Sequence, residues 1–181
     1  MHATTFRIAW RTLAALSLAM PGVAQAARAG GAAAPVSRAD NVRIRNEGNA
    51  LHVRHALTRA SRTLATPKCQ RIFWEFSDSA GRPLQARLDA EARSADAHLS
   101  SLLFYDGSAH PGCRSKHTFA VTVPGSRIIV VCTPQFVDLA ERNPRMAAGL
   151  LIHEQLHALG LGENPPTSAE ITERVMTRCA P

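Results

Sequence analysis

The sequence is poor in aromatic residues and in lysine, and these shortages argue against some classes of binding protein. Aromatic residues make up 5% of the chain, and its one tyrosine is Tyr105. The basic residues are nearly all arginine, with lysine at Lys68 and Lys116 alone. No block of basic residues alternates with aromatic ones, which is the pattern expected of a nucleic-acid-binding surface. We therefore expect no nucleic-acid partner.

The N-terminus also lacks an apolar stretch long enough for a membrane span. Residues 13–20 (LAALSLAM) form an apolar run that is too short to cross a bilayer as a stable helix. Arg7 and Arg11 precede this run, and the small-residue site Ala24-Gln25-Ala26 follows it. This arrangement is typical of a cleavable signal peptide at residues 1–26. We therefore predict a secreted or periplasmic protein with no stable membrane span.

Removal of residues 1–26 would take away two arginines and no acidic residue, which lowers the formal net charge from +7 to +5. The Ala/Gly/Pro-rich residues that follow predict a disordered leader at residues 27–47. No internal repeat is visible, and residues 48–181 are enough for one domain but short for two.

The chain has four cysteines and no C-x-x-C pair, which disfavours a zinc site built from cysteine. An even number of cysteines in an exported protein indicates two disulfides. Three connectivities are possible, and we favour Cys113–Cys132 with Cys69–Cys179. The second bond would tie the C-terminal tail to the start of the domain.

Hydrophobic periodicity predicts an α+β fold with a small, mainly antiparallel sheet. Strands are predicted at residues 71–77 and 101–107, and a hairpin is predicted from residues 118–123 and 127–132 around Gly125. The predicted helices are residues 49–65, residues 84–99, a segment around residues 144–159, and a final helix at residues 167–179. In the last helix, Thr167 and Glu170 have the spacing of a capping box.

The most informative motif is HEQLH at residues 153–157. On a helix, His153 and His157 lie one turn apart on the same face, so that their imidazoles can bind one ion. Glu154 lies to the side, where it can act as a general base toward an attacking water. The motif predicts one Zn²⁺ per chain, although two structural histidines on an amphipathic helix would give the same letters.

The longer stretch HEQLHALGLGE resembles the extended metzincin motif of zinc peptidases, H-E-x-x-H-x-x-G-x-x-H or D. The resemblance implies a zincin-like fold, in which Gly160 ends the helix and Glu163 is the third metal ligand. Glu170 is the alternative third ligand, because a glutamate on the following helix has this role in the gluzincins. The capping-box role of Glu170 favours Glu163.

A second resemblance precedes the motif. Residues 118–136 (TFAVTVPGSRIIVVCTPQF) are similar to the segment before the active-site helix in deuterolysin-like peptidases. Their third ligand is a downstream aspartate, and this chain has no aspartate after Asp138. By resemblance, one of the two hairpin strands would bind the substrate along its edge, and Tyr105 would stabilise the transition state, with His110 and His117 as other candidates.

These features together predict an exported, monomeric zinc metallopeptidase that hydrolyses peptide bonds in a protein or peptide substrate. Two other functions stay open at the level of sequence. One is a zincin-like module that binds a partner or zinc without turnover, and the other is a zinc amidase that acts on cell-wall peptides. The glutamate beside the first histidine favours catalysis over binding alone.

Overall fold

A mixed four-stranded sheet is formed among residues 41–179, which are the part of the chain that the computed structural model describes. The strands are β1 (Val42–Arg43), β2 (Leu103–Asp106), β3 (Ala120–Thr122) and β4 (Ile128–Val131), in the order β1-β2-β4-β3. The pairs β1–β2 and β2–β4 are parallel, and β3–β4 is antiparallel. This order makes β3 an edge strand.

The predicted α+β class is confirmed, but the prediction of a mainly antiparallel sheet is wrong. The β3–β4 hairpin forms around Gly125 as expected. Gly125 has a φ of 80°, a conformation that glycine adopts readily, which explains why the turn has a glycine there. The parallel pairs arise because long connections separate the strands, as parallel pairing requires. Helical segments connect β1 to β2, and β4 pairs with β2 after the chain has passed through β3.

The folded region begins before residue 48, so the predicted end of the leader is also wrong. Val42 and Ile44 are buried, and Val42 pairs with Phe104 of β2. The Asn41 side-chain amide donates hydrogen bonds to the carbonyl groups of Ser100 and Leu102, both at 3.1 Å. The predicted signal peptide and residues 27–40 of the predicted leader lie outside the described residues.

Helices supply most of the fold. Their bounds are α1 Glu47–Leu64, α2 Pro67–Gln70, α3 Ile72–Glu75, α4 Leu84–Ala90, α5 Ala95–Ser101, α6 Thr133–Arg142, α7 Pro144–Ala158 and α8 Ser168–Cys179. Helix α1 packs against α5, α6 and α7, and α8 packs against α7. Within residues 41–179, no helix is both long and apolar enough to cross a membrane.

Helix α3 occupies residues for which the sequence predicted a strand. Ile72, Phe73 and Phe76 are buried, whereas Trp74 is 64% exposed. Within residues 72–76, the buried side chains are the first, second and fifth, which follows a helical period rather than the alternation of a strand. The predicted helix at residues 84–99 is interrupted as well, because Ala92 has a φ of 48° and Ser94 caps the new helix α5.

Helix α7, which carries the HEQLH motif, has well-defined ends. Pro144 occupies its first turn, and the Asn143 side chain accepts a hydrogen bond from the Met146 N–H at 3.0 Å. At the other end, Gly160 has a φ of 109°. The Gly160 N–H bonds to the His157 carbonyl at 2.8 Å and the Leu161 N–H to the Leu156 carbonyl at 3.1 Å, which is a Schellman C-cap.

Two disulfides attach peripheral segments to this core, and they are the two that the sequence analysis favours. Cys69–Cys179 joins α2 to the last residue of α8. Cys113–Cys132 joins a short 3-10 turn (Pro111–Cys113) to the start of α6. Both bonds fit an extracellular or otherwise oxidising location.

Candidate metal centre

Three side chains from α7 and the loop after it converge on one point. His153 Nε2 and His157 Nε2 are 2.9 Å apart. Glu163 Oε1 lies 3.2 Å from His157 Nε2 and 3.8 Å from His153 Nε2. Within residues 41–179, no other group of three His, Cys, Asp or Glu side chains is brought together in this way. The predicted set of two histidines and Glu163 is therefore the set that the fold assembles.

The second nitrogen of each imidazole has a partner on another segment, which fixes the orientation of both rings. His157 Nδ1 lies 2.8 Å from the Leu161 carbonyl oxygen. A carbonyl oxygen accepts hydrogen bonds and does not donate them, so His157 Nδ1 carries the proton and its Nε2 keeps a lone pair. His153 Nδ1 lies 2.9 Å from the Thr172 hydroxyl, which can donate or accept.

The site fits a zinc ion by its donor atoms and by their spacing. In a tetrahedral site with ligand distances of about 2.0–2.1 Å, neighbouring ligand atoms are about 3.3 Å apart. The three measured distances lie on both sides of that value. Burial lowers the pKa of His153 to about 3, and the adjacent His157 ring adds to the effect. His153 is consequently neutral at physiological pH, as a metal ligand must be.

Glu154 lies beside these ligands and is buried, with 6% of its surface exposed. Burial raises the pKa of the Glu154 carboxyl, whereas the Thr122 hydroxyl and His157 oppose the rise. Among the described residues, Glu154 Oε2 has no hydrogen-bond partner. A buried carboxylate oxygen without a partner is rare in folded proteins.

Glu170, the alternative third ligand, is occupied elsewhere. The Thr167 N–H donates to Glu170 Oε2 at 2.8 Å, and the Glu170 N–H donates to the Thr167 hydroxyl at 3.3 Å. This reciprocal pair confirms the predicted capping box of α8. The hydrogen bonds from Thr167 also hold the pKa of Glu170 below its usual value. Among the described residues Glu163 makes no capping contact of this kind, and its loop is closed by a 2.8 Å bond from the Asn164 N–H to the Pro166 carbonyl.

The convergent side chains open onto a cleft of about 1190 Å³ between β3, α7 and α8. Its apolar walls extend along α7 away from the candidate ligands, and they are formed by Phe119, Leu139, Met146, Leu150 and Met176. The turn of the hairpin closes the opposite end, where the Gly125 N–H donates to the His157 carbonyl at 2.8 Å. The β3–β4 hairpin and helix α7 are thus linked directly.

The proposed transition-state helper Tyr105 is not brought to this cleft. Its neighbour Phe104 points into the core, so Tyr105 points to the opposite face of the sheet, where it is 40% exposed. His110 caps the Gly112 N–H instead, and His117 is the one of the three candidates that lines the cleft. Thr122 and Thr172 were missed, because each approaches the motif from a distant segment and no sequence spacing marks such an approach.

The chain matches no protein-family model, no curated protein and no solved structure. Membership of the zincins therefore stays a prediction that rests on the metzincin-like spacing from His153 to Glu163. The geometry of the three candidate ligands does not depend on that resemblance, since it follows from the fold of this chain.

Proposed function

We propose that this protein is an exported zinc-dependent peptidase. The observation that supports this function best is the convergence of His153, His157 and Glu163 next to a buried, partly unsatisfied Glu154. Two histidines and one glutamate are a known catalytic zinc set, which leaves a position free for water or substrate. A structural zinc site would be closed by a fourth protein ligand, and no fourth His, Cys, Asp or Glu joins the group within residues 41–179.

Zinc in such a site supplies a Lewis acid, which lowers the pKa of water and polarises a carbonyl group. Glu154 acts as the general base, because it accepts a proton from the water that attacks the scissile carbonyl carbon. As the carbon–nitrogen bond breaks, Glu154 returns that proton to the leaving amine. Burial raises the pKa of the Glu154 carboxyl, which makes it a stronger base toward the water, and its protonated form can then donate to the amine.

The edge strand β3 offers a binding surface for an extended peptide. The Cys132 N–H bonds to the Phe119 carbonyl at 3.0 Å, so these two residues form a hydrogen-bonded pair just beyond the paired residues of β4 and β3. Hydrogen-bonded and non-hydrogen-bonded pairs alternate along an antiparallel ladder, so the pairs of Ala120 and Thr122 with β4 are non-hydrogen-bonded. The backbone groups of Ala120 and Thr122 therefore point away from β4 and toward the open edge. A peptide that pairs with this edge would run along the cleft past Glu154. This arrangement favours a peptide bond as the substrate.

Zinc content and hydrolysis, measured together, test the proposal. We expect one zinc per chain and hydrolysis of an unfolded protein that a chelator abolishes and zinc restores. Glu154→Gln should keep its zinc and lose at least about 100-fold in kcat, as removal of a general base does. Glu170→Gln serves as the matched control and should retain both zinc and activity.

Each contrary result has a distinct meaning. One zinc per chain without turnover on proteins or on peptidoglycan peptides would rule out the enzyme and leave a binding module. Turnover of peptidoglycan peptides alone would identify a cell-wall amidase. Absence of zinc after loading would contradict the metal site itself.

A further inference from the structure

Thr122 of the edge strand lines the same cleft as Glu154. It pairs with Ile129 of β4, and directly opposed residues of a ladder project to the same face of the sheet. Ile129 is fully buried in the core under the helices, so the Thr122 side chain also points toward the helical layer. Strand β3 packs on α7, and Thr122 and Glu154 both line the cleft.

Two unsatisfied oxygen atoms lie in this part of the cleft. Thr122 Oγ1 and Glu154 Oε2 are both buried, and neither has a partner in hydrogen-bond geometry among residues 41–179. A buried polar group without a partner destabilises the folded protein. Both side chains line the same cleft, where strand β3 packs on α7. Two such groups side by side suggest a contact that is completed when the site is in use.

The donor and acceptor chemistry of the two groups is complementary. An ionised carboxylate only accepts hydrogen bonds, and a threonine hydroxyl has one proton to donate. The hydroxyl can therefore donate to the carboxylate. Threonine is stiff about χ1, so a bond from Thr122 would fix the plane of the Glu154 carboxylate.

We propose that Thr122 is a positioning residue for the general base: its hydroxyl donates to Glu154 Oε2 and leaves the other carboxylate oxygen for proton transfer. This inference rests on the proposed peptidase function. The backbone of Thr122 faces the open edge of β3, where the substrate would pair. A single residue thus connects substrate binding with alignment of the base.

The variants Thr122→Val and Thr122→Ser separate the hydroxyl from the shape of the side chain. Valine keeps the branched shape and removes the donor, whereas serine keeps the donor. We expect Thr122→Val to lose about 10–100-fold in kcat, as removal of a group that orients a functional side chain does. KM should change less than about twofold and zinc content not at all, and Thr122→Ser should retain most of the activity.

Thermal unfolding of the same variants excludes a merely structural role. Replacing a buried, unsatisfied hydroxyl by a methyl group of the same shape should leave Tm unchanged or raise it. A lower kcat with an undiminished Tm would support positioning. Equal kcat values for wild type and Thr122→Val, equal losses for valine and serine, or a loss confined to KM would overturn the inference.

A crystal structure of the zinc-loaded wild type separates failure of this inference from failure of the proposed function. A distance of 3.2 Å or less between Thr122 Oγ1 and a Glu154 oxygen is expected for a formed bond. If the wild type hydrolyses no substrate, the proposed function fails, and this distance still decides whether the contact exists. A hydroxyl that points away from Glu154 would overturn the inference even in an active enzyme.

Discussion

Each candidate metal-ligating histidine is oriented by a group outside its own helix. His157 donates to the Leu161 carbonyl, which the Schellman turn places beside the ring. His153 contacts Thr172 of α8. Since such outer partners fix ring orientation and tautomer, their loss typically weakens metal binding by 10–100-fold. The orientation of the two imidazole rings therefore depends on the turn at Gly160 and on the packing of α8.

Substitution of the two competing glutamates should give opposite phenotypes. Glu163→Ala removes a ligand, so we expect a loss of zinc affinity with little change in the stability of the metal-free protein. Glu170→Ala removes the capping box and should lower the free energy of unfolding by about 1 kcal/mol while zinc stays bound. Competition with a chromogenic chelator measures the first effect, and denaturant unfolding measures the second. Zinc loss confined to Glu170→Ala would make Glu170 the ligand.

At the scale of elements, the close approach of α7 and α8 depends on a glycine. A Cβ atom at Gly149 would overlap Sδ of Met176, whose side chain lies against α7 and forms a wall of the cleft. Met176 belongs to α8. Its position in the cleft depends on the missing side chain of Gly149.

A double-mutant cycle tests this dependence. Gly149→Ala should destabilise the protein by about 1–2 kcal/mol, because overpacking outweighs the better helix propensity of alanine. In the Met176→Ala background the same change should stabilise it by up to about 1 kcal/mol, since the overlapping atom is gone. Denaturant unfolding gives the coupling energy. Additive effects of the two substitutions would show that the two residues do not compete for space.

The elements that the sequence predicted well are those whose signals are local. Pro144 and Gly160 mark the ends of the motif helix, and Thr167 and Glu170 mark the start of the last one. The strand predicted at residues 71–77 failed because adjacent aromatic residues are as compatible with a buried helical turn. Strand direction failed because pairing of β2 with β4 depends on distant packing. Within the site, the candidate ligands lie close together in the sequence and could be predicted from their spacing. Thr122 and Thr172 lie on other segments, β3 and α8, and could not.

At the scale of the whole molecule, covalent bonds hold the segments that complete the cleft. Cys69–Cys179 closes a sequence separation of 110 residues and fixes the end of α8, which carries Thr172 and Met176. Cys113–Cys132 closes 19 residues and fixes the loop before the edge strand. The Cys69–Cys179 bond therefore links distant parts of the chain, whereas the Cys113–Cys132 bond links neighbouring segments.

Removal of each disulfide should reflect this difference. In the chain-entropy model, a bond that closes 110 residues contributes close to 5 kcal/mol, and one that closes 19 residues about 3 kcal/mol. We expect the Cys69→Ala/Cys179→Ala variant to lose more stability and also zinc affinity, because Thr172 is no longer held against His153. Urea unfolding and zinc titration of both double variants check the order. A larger loss in Cys113→Ala/Cys132→Ala would contradict it.

The hydrogen bond from the Gly125 N–H to the His157 carbonyl also restricts where this domain can acquire new sequence. An insertion in the turn between β3 and β4 would break that bond and lift the edge strand from the helix that carries the ligands. Segments that add selectivity must therefore enter elsewhere. The loop between β2 and β3 can lengthen at its exposed residues 114–117 without disturbing that bond. Variation among related chains is expected to concentrate there, with the hairpin kept at constant length.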